Sequence, residues 1–157
     1  MTADPIDRRN IRAQFWERFT LDELTPREWE ALCDGCGKCC LRKLEYEDTG
    51  EVDYTNVACK LLDCTTCRCT NYANRKKTVP DCVVITPATL DRILYWMPTT
   101  CAYRLMAEGQ PLADWHPLIS GRAESVHEAG ISLAGHMVSE TGVSDDDLDD
   151  YIVEGLQ

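Results

Sequence analysis

At 157 residues the chain is about one domain long and can bury a core without covalent staples. Its net charge of −11, from 16 basic and 27 acidic residues, argues against nucleic acid, whose phosphates need a basic footprint, and no window approaches the roughly 18 apolar residues of a membrane helix. The first 18 residues read polar and charged, with only Ile6, Ile11, Phe15 and Trp16 scattered through them, so no export signal is expected and the ten cysteines belong in a reducing cytoplasm, where disulfides are the minority state.

In chain order, residues 1–14 read as a flexible or helical extension. Thr25-Pro26-Arg27-Glu28 then predicts a helix start, with Thr25 as N-cap, Pro26 at the first position and Glu28 closing a capping box. That helix runs to about Leu32, with Trp29 and Leu32 inward, and Gly35 and Gly37 stop it. Cys33-Asp34-Gly35-Cys36-Gly37-Lys38-Cys39-Cys40 is therefore a tight loop, in which glycine lets the backbone turn and aim N–H groups at sulfur. Alternation around Asp48-Thr49-Gly50, with Leu44 and Tyr46 before and Val52 and Tyr54 after, predicts a hairpin. From Ala58 to Asp81 the chain is polar, cysteine-rich and weakly periodic.

Cys82-Val83-Val84-Ile85 reads as a short strand, and Thr86-Pro87 repeats the cap-plus-proline signal ahead of Leu90, Ile93, Leu94 and Met97. A further helix is predicted from about Thr100 to Gly109, and Ile131–Val138 as a strand. Ser144 caps a last helix over about 145–154, acid-rich in its first turn, with Leu148 and Ile152 inward and Gly155 as stop. The seven acidic residues from Glu140 to Glu154 read as a solvated face. Together these predict one small α+β domain over 1–157, with short helices, a hairpin and irregular cysteine-rich loops organised around a metal centre in the segment 33–82.

The cysteines cluster as packing alone does not require, whereas metal ligands must converge on a point. Two groupings are open. Cys33-x2-Cys36 with Cys64-x2-Cys67 would make two zinc knuckles, but 27 residues separate them where 15–20 are usual, and other cysteines go unused. Alternatively, Cys33, Cys36 and Cys39 form one arc of the kind that wraps an iron–sulfur cluster, although the ferredoxin-type fourth ligand would fall at Lys43. Neighbouring side chains diverge, so Cys39 and Cys40 serve two centres or one polynuclear centre.

The run Cys33-x2-Cys36-x2-Cys39-Cys40, with Cys59-Lys60-Leu61-Leu62, Cys69-x2-Tyr72-x2-Arg75 and Cys82, resembles the CxxCxxCC family of zinc- or iron-chelating domains (YkgJ type). Cys101-Ala102-Tyr103-Arg104 and Trp115-His116-Pro117-Leu118 look like its YcgN branch. The likeness covers nearly the whole chain after about residue 14, and departs where many relatives have proline after the arginine and this chain has Lys76. It implies Cys33, Cys36, Cys39, Cys40, Cys59, Cys69 and Cys82 as the metal set and leaves Cys64 outside.

Cys67 and Cys101 are further candidate ligands, each with packing as the alternative, since free cysteine is often buried. Tyr72 and Arg75 are candidates for hydrogen-bonding or neutralising thiolate sulfur at the bound group, or for anchoring the loop. His116, His127 and His136 could complete a site, though a lone histidine is more often packed or exposed. Thiolates suit zinc and iron alike; seven or more sulfurs exceed what one structural zinc takes, which favours an iron–sulfur or polynuclear iron centre over zinc. The function expected is a cytoplasmic metal-binding protein with a structural, sensing or electron-transfer role and no nucleic-acid or membrane partner. The alternatives are a protein-modifying enzyme, because flagellin lysine N-methylases carry a similar cysteine motif, and a thiol redox protein working through Cys64 and Cys67.

Overall fold

The computed structural model describes residues 6–80, 82 and 84–156. The chain is mixed α/β, with short helices and a few strands, and forms two compact units, one of residues 6–35 and 85–131 and one of residues 36–84 and 132–156.

The first unit is helical. Thr25 accepts the Glu28 N–H on its hydroxyl while the Glu28 carboxylate accepts the Thr25 N–H, so the capping box starts the helix Pro26–Ala31 where expected. Trp29 and Leu32 are buried, in a core with Phe15, Ala31, Leu90, Met97, Ala102, Tyr103 and Leu112. Trp29 is fixed at both ends: its indole N–H donates to the Ile85 carbonyl at 2.9 Å, and its own carbonyl accepts the Tyr103 hydroxyl at 2.7 Å. Ala102–Ala107 is a helix with Cys101 at its N-cap and Gly109 in a left-handed turn beyond it. The stretch begun by Thr86-Pro87 is regular helix only over Leu90–Ile93, because Thr86 and Thr89 bond to each other and close a separate turn first.

The second unit is built on a three-stranded sheet. β1 (Leu41–Glu45) and β2 (Val52–Ala58) form the predicted antiparallel hairpin, with a register shift between Leu41 and Lys43. The buried Thr55 hydroxyl donates to the Arg42 carbonyl at 2.8 Å there, satisfying an acceptor that the irregular ladder releases. β3 (Leu62–Asp63) and β4 (Arg68–Cys69) make a second, two-stranded ribbon that sets Leu62 opposite Cys69. β5 (Val138–Ser139) pairs with β2 in parallel. The core here is Leu41, Tyr54, Ala58, Leu62, Cys67 and Met137.

Of the expected strand Ile131–Val138 only its last residue is extended, because Gly135 takes φ 81° and its N–H donates to the Cys64 carbonyl at 2.7 Å. The last helix is capped by Ser144 as predicted but is 3₁₀ over Asp145–Tyr151, with Leu148 buried. Aspartates four apart, Asp145 with Asp149 and Asp146 with Asp150, disfavour the α form. The strand expected at 82–85 falls partly outside the described residues.

A thiol-rich candidate metal centre

Eight cysteines lie in the second unit, namely Cys36, Cys39, Cys40, Cys59, Cys64, Cys67, Cys69 and Cys82, and none is in a disulfide. Gly37, at φ 75°, opens the 3₁₀ turn Lys38–Cys40 that carries two of them. Beside it, Cys67 holds a left-handed backbone at φ 63° and is 3% exposed. That conformation is costly for a residue with a Cβ, and a tight turn enforces it. The Cys67 N–H donates to the Asp63 carbonyl at 2.8 Å, and the Asp63 side chain accepts the N–H groups of Thr65 and Thr66 at 2.8 and 3.0 Å. So held, the Cys67 thiol donates to the Cys36 carbonyl at 3.0 Å, in a buried position.

Lys43 reaches back over the same turn. Its ammonium donates to the carbonyls of Lys38 at 2.9 Å and Leu41 at 2.7 Å, lies 3.4 Å from that of Cys39, and sits 4.8 Å from the centre of the Tyr54 ring. These carbonyls at the end of the turn are the acceptors that a short helix leaves without partners. Burial pulls the Lys43 pKa down, and the thiols of Cys39, Cys40 and Cys36 act in the opposite direction. The sequence pattern had pointed at position 43 only as the place where a ferredoxin-type ligand is missing; the spacing was the signal, and a cation stands there.

Cys40 is tied by its backbone to the segment that bears Cys59. Its carbonyl accepts the Cys59 N–H at 2.8 Å, and the Cys59 carbonyl accepts the Leu62 N–H at 2.9 Å, which ties the turn to the ribbon bearing Cys69. Burial pushes the Cys40 thiol up to about 12, with the neighbouring Cys59, Cys82 and Cys69 adding to the rise. The Cys82 thiol is raised mainly by burial, while Arg75 and Lys76 lower it. Arg75 is thus a cation in the field of the Cys82 thiol. Its guanidinium lies 3.9 Å from the centre of the exposed Tyr72 ring and donates to the Tyr72 carbonyl at 2.7 Å, so Tyr72 acts as the platform that holds Arg75.

Cys33 and Cys101 belong to the first unit, where both pack against its apolar core. The Cys33 carbonyl accepts from Arg8. His116 is buried, accepting the Leu118 N–H at Nδ1 and donating from Nε2 to the Leu32 carbonyl at 2.7 Å, so both ring nitrogens serve the fold. His136 is exposed in the second unit. The first unit also has an open cleft of about 720 Å³ lined by residues such as Trp16, Phe19, Leu90 and Met106; no cysteine lines it.

Among the described residues no three Cys, His, Asp or Glu side chains close on one point as ion ligands. The fold does gather soft sulfur donors with cations beside them: Lys43 near Cys36, Cys39 and Cys40, and Arg75 and Lys76 near Cys82. Such a donor set fits iron or zinc and not magnesium or calcium, and the cations offset the charge of bound thiolates.

Residues 32–102 match the family model CxxCxxCC, described as "Putative zinc- or iron-chelating domain". Over 147 residues the chain is 60% identical to a UPF0260 protein of Rhodobacter capsulatus, covering 94% of this chain and 98% of that one. A UPF0260 protein of Cellvibrio japonicus is 61% identical over 139 residues, 88% of this chain and 94% of the relative. One from Mesorhizobium japonicum is 56% identical over 146 residues, 92% and 98% of the two chains. No solved structure matches the chain.

Proposed function

Because this chain belongs to the UPF0260 family and carries a CxxCxxCC domain, we propose that it is a cytoplasmic metal-binding protein whose second unit holds iron or zinc through cysteine thiolates. The observation that carries this reading is the gathering of Cys36, Cys39, Cys40, Cys59, Cys67, Cys69 and Cys82 within one unit with Lys43, Arg75 and Lys76 among them. A sulfur-only donor set of this size suits soft and borderline ions. In a single centre it exceeds the four ligands of one structural zinc and favours iron, as an iron–sulfur or polynuclear centre.

Bound metal would supply folding energy and, with iron, one-electron chemistry. Thiolates must be deprotonated to ligate, so binding releases protons, and the raised Cys40 thiol makes that release dependent on the ion's own charge. The role is structural, sensing or electron transfer. Redox exchange through Cys64 and Cys67 fits less well, since a reactive thiol needs access and Cys67 is buried.

Anaerobic purification followed by iron, zinc and acid-labile sulfide determination tests the proposal. Transition metal in stoichiometric amount is the expected result, with visible absorbance bleached by dithionite if the metal is iron in a cluster. Metal-free protein that keeps its near-ultraviolet circular dichroism would remove the reading.

A further inference from the structure

We propose that the thiols of the second unit serve two separate metal centres, Cys36, Cys39 and Cys67 at one and Cys40, Cys59, Cys69 and Cys82 at the other, a division that rests on the metal binding proposed above. The dividing point is the Cys39–Cys40 peptide. Both residues lie in the 3₁₀ turn Lys38–Cys40, where successive side chains leave the axis about 120° apart, so they cannot both approach one ion as a chelating pair.

Long-range contacts sort the remaining thiols to the two sides. On one side Cys67 reaches over Gly37 to the Cys36 carbonyl, with a 3.0 Å hydrogen bond from its sulfur. On the other, the 2.8 Å bond from the Cys59 N–H to the Cys40 carbonyl and the pairing of Leu62 with Cys69 bring residues 40, 59 and 69 to one end of the ribbon. The Cys82 thiol shares an electrostatic neighbourhood with Cys59 and Cys69. Lys43, anchored on the carbonyls of the turn, lies by the thiols on both sides of the Cys39–Cys40 peptide, and Arg75, on its Tyr72 platform, stands by Cys82 of the second set. The second set has the number of thiolates that a tetrahedral site takes, while the first has three and leaves a position for another donor; in each set the side chains must close on the ion as it binds. Divided in this way, the sulfur count accommodates zinc as readily as iron.

Zinc is the probe. The full-length protein is reconstituted anaerobically with zinc, and bound metal is counted in wild type, in Cys36→Ser/Cys67→Ser and in Cys59→Ser/Cys69→Ser. About two zinc per chain in wild type and one in each double variant is the expected result. One zinc in wild type, or loss of all zinc in both variants, overturns the division and leaves metal binding intact. No zinc or iron in any preparation overturns metal binding itself.

A second measurement on wild type does not depend on the variants folding. Zinc is withdrawn stepwise with a chelator, newly freed thiols are alkylated, and the labelled cysteines are mapped in peptides. Labelling of Cys40, Cys59, Cys69 and Cys82 as one block, distinct from Cys36, Cys39 and Cys67, supports the division; uniform labelling of all seven at every step overturns it.

Discussion

The sulfur of Cys67 occupies the space that a Cβ on Gly37 would fill, and both residues hold left-handed backbone, at φ 63° and φ 75°. Two left-handed positions, only that of Cys67 strained, thereby enforce one close approach, and each explains the other: glycine at 37 admits the sulfur, and the sulfur's hydrogen bond to Cys36 ties the loop to the turn. Gly37→Ala introduces both an overlap and a left-handed alanine, so a loss of about 1–3 kcal/mol is expected, read by urea unfolding. Cys67→Ala in the same chain relieves the overlap. The double variant should therefore lose less than the sum of the two single losses, and strict additivity would refute the contact.

Lys43→Met keeps the length of the side chain and its packing near Tyr54 but strands the carbonyls of Lys38 and Leu41. Removing one partner of a charged hydrogen bond leaves the other to water or to nothing, a cost of about 1–3 kcal/mol. Weaker zinc retention in a competition with a chelating dye should accompany the loss of stability, because the turn carrying Cys39 and Cys40 loosens and a neighbouring positive charge disappears. Lys43→Arg, which keeps the charge but not the compact ammonium, should recover part of the retention and little of the stability.

Features set by neighbours in the chain were legible in the sequence, and those set by contacts across it were not. The Thr25–Glu28 capping box, the hairpin about Asp48-Thr49-Gly50 and the Ser144 cap each depend on residues a few positions apart, and each forms. The segment 131–138 reads as a strand by composition, yet Gly135 is turned by a bond to Cys64, a partner that periodicity cannot reveal. In the same way the motif spacing marks which residues bear sulfur but not which sulfurs are neighbours. That Cys40 sits with Cys59, or Cys67 with Cys36, is decided by the β3–β4 ribbon and by the left-handed turn at residue 67. The motif spacing marks Lys43 only as a missing ligand; its part as a cation anchoring the turn depends on carbonyl partners that spacing does not reveal.

Glu28 does two jobs in the first unit. Its carboxylate closes the capping box and is also gripped by Arg12, at 2.7 Å from Nη2 to Oε1 and 3.0 Å from Nε to Oε2. The Arg12 guanidinium, with the Thr25 and Arg12 N–H groups, holds its pKa at about 2. A carboxylate depressed in the folded state stabilises fully above its ordinary pKa near 4.5, and that stability is lost as pH falls toward about 2. Glu28→Gln should flatten the acid limb of the stability profile between those values. Glu28→Ala should in addition lose the capping contribution of about 1 kcal/mol at neutral pH. An unchanged acid limb in Glu28→Gln would show that the pair does not govern it.

His116 gives the opposite end of the acid response. Burial lowers its pKa below 6.5, partly opposed by its bond to the Leu32 carbonyl. The Leu118 N–H already occupies Nδ1, so a proton there would evict that bond from a site 1% exposed. Above about 6.5 the ring is neutral in both folded and unfolded chains and pH has no leverage through it. Below that value the unfolded chain takes up a proton that the folded one resists, so stability declines with falling pH until the folded pKa is reached. Urea midpoints measured from pH 7.5 to 5 should therefore fall in wild type, beginning near pH 6.5 and well before Glu28 responds. His116→Asn removes the titrating group and should abolish that shallow decline, at a cost in baseline stability of about 1–3 kcal/mol for the buried hydrogen bonds it fails to remake. A decline that persists unaltered in His116→Asn would assign it to another group.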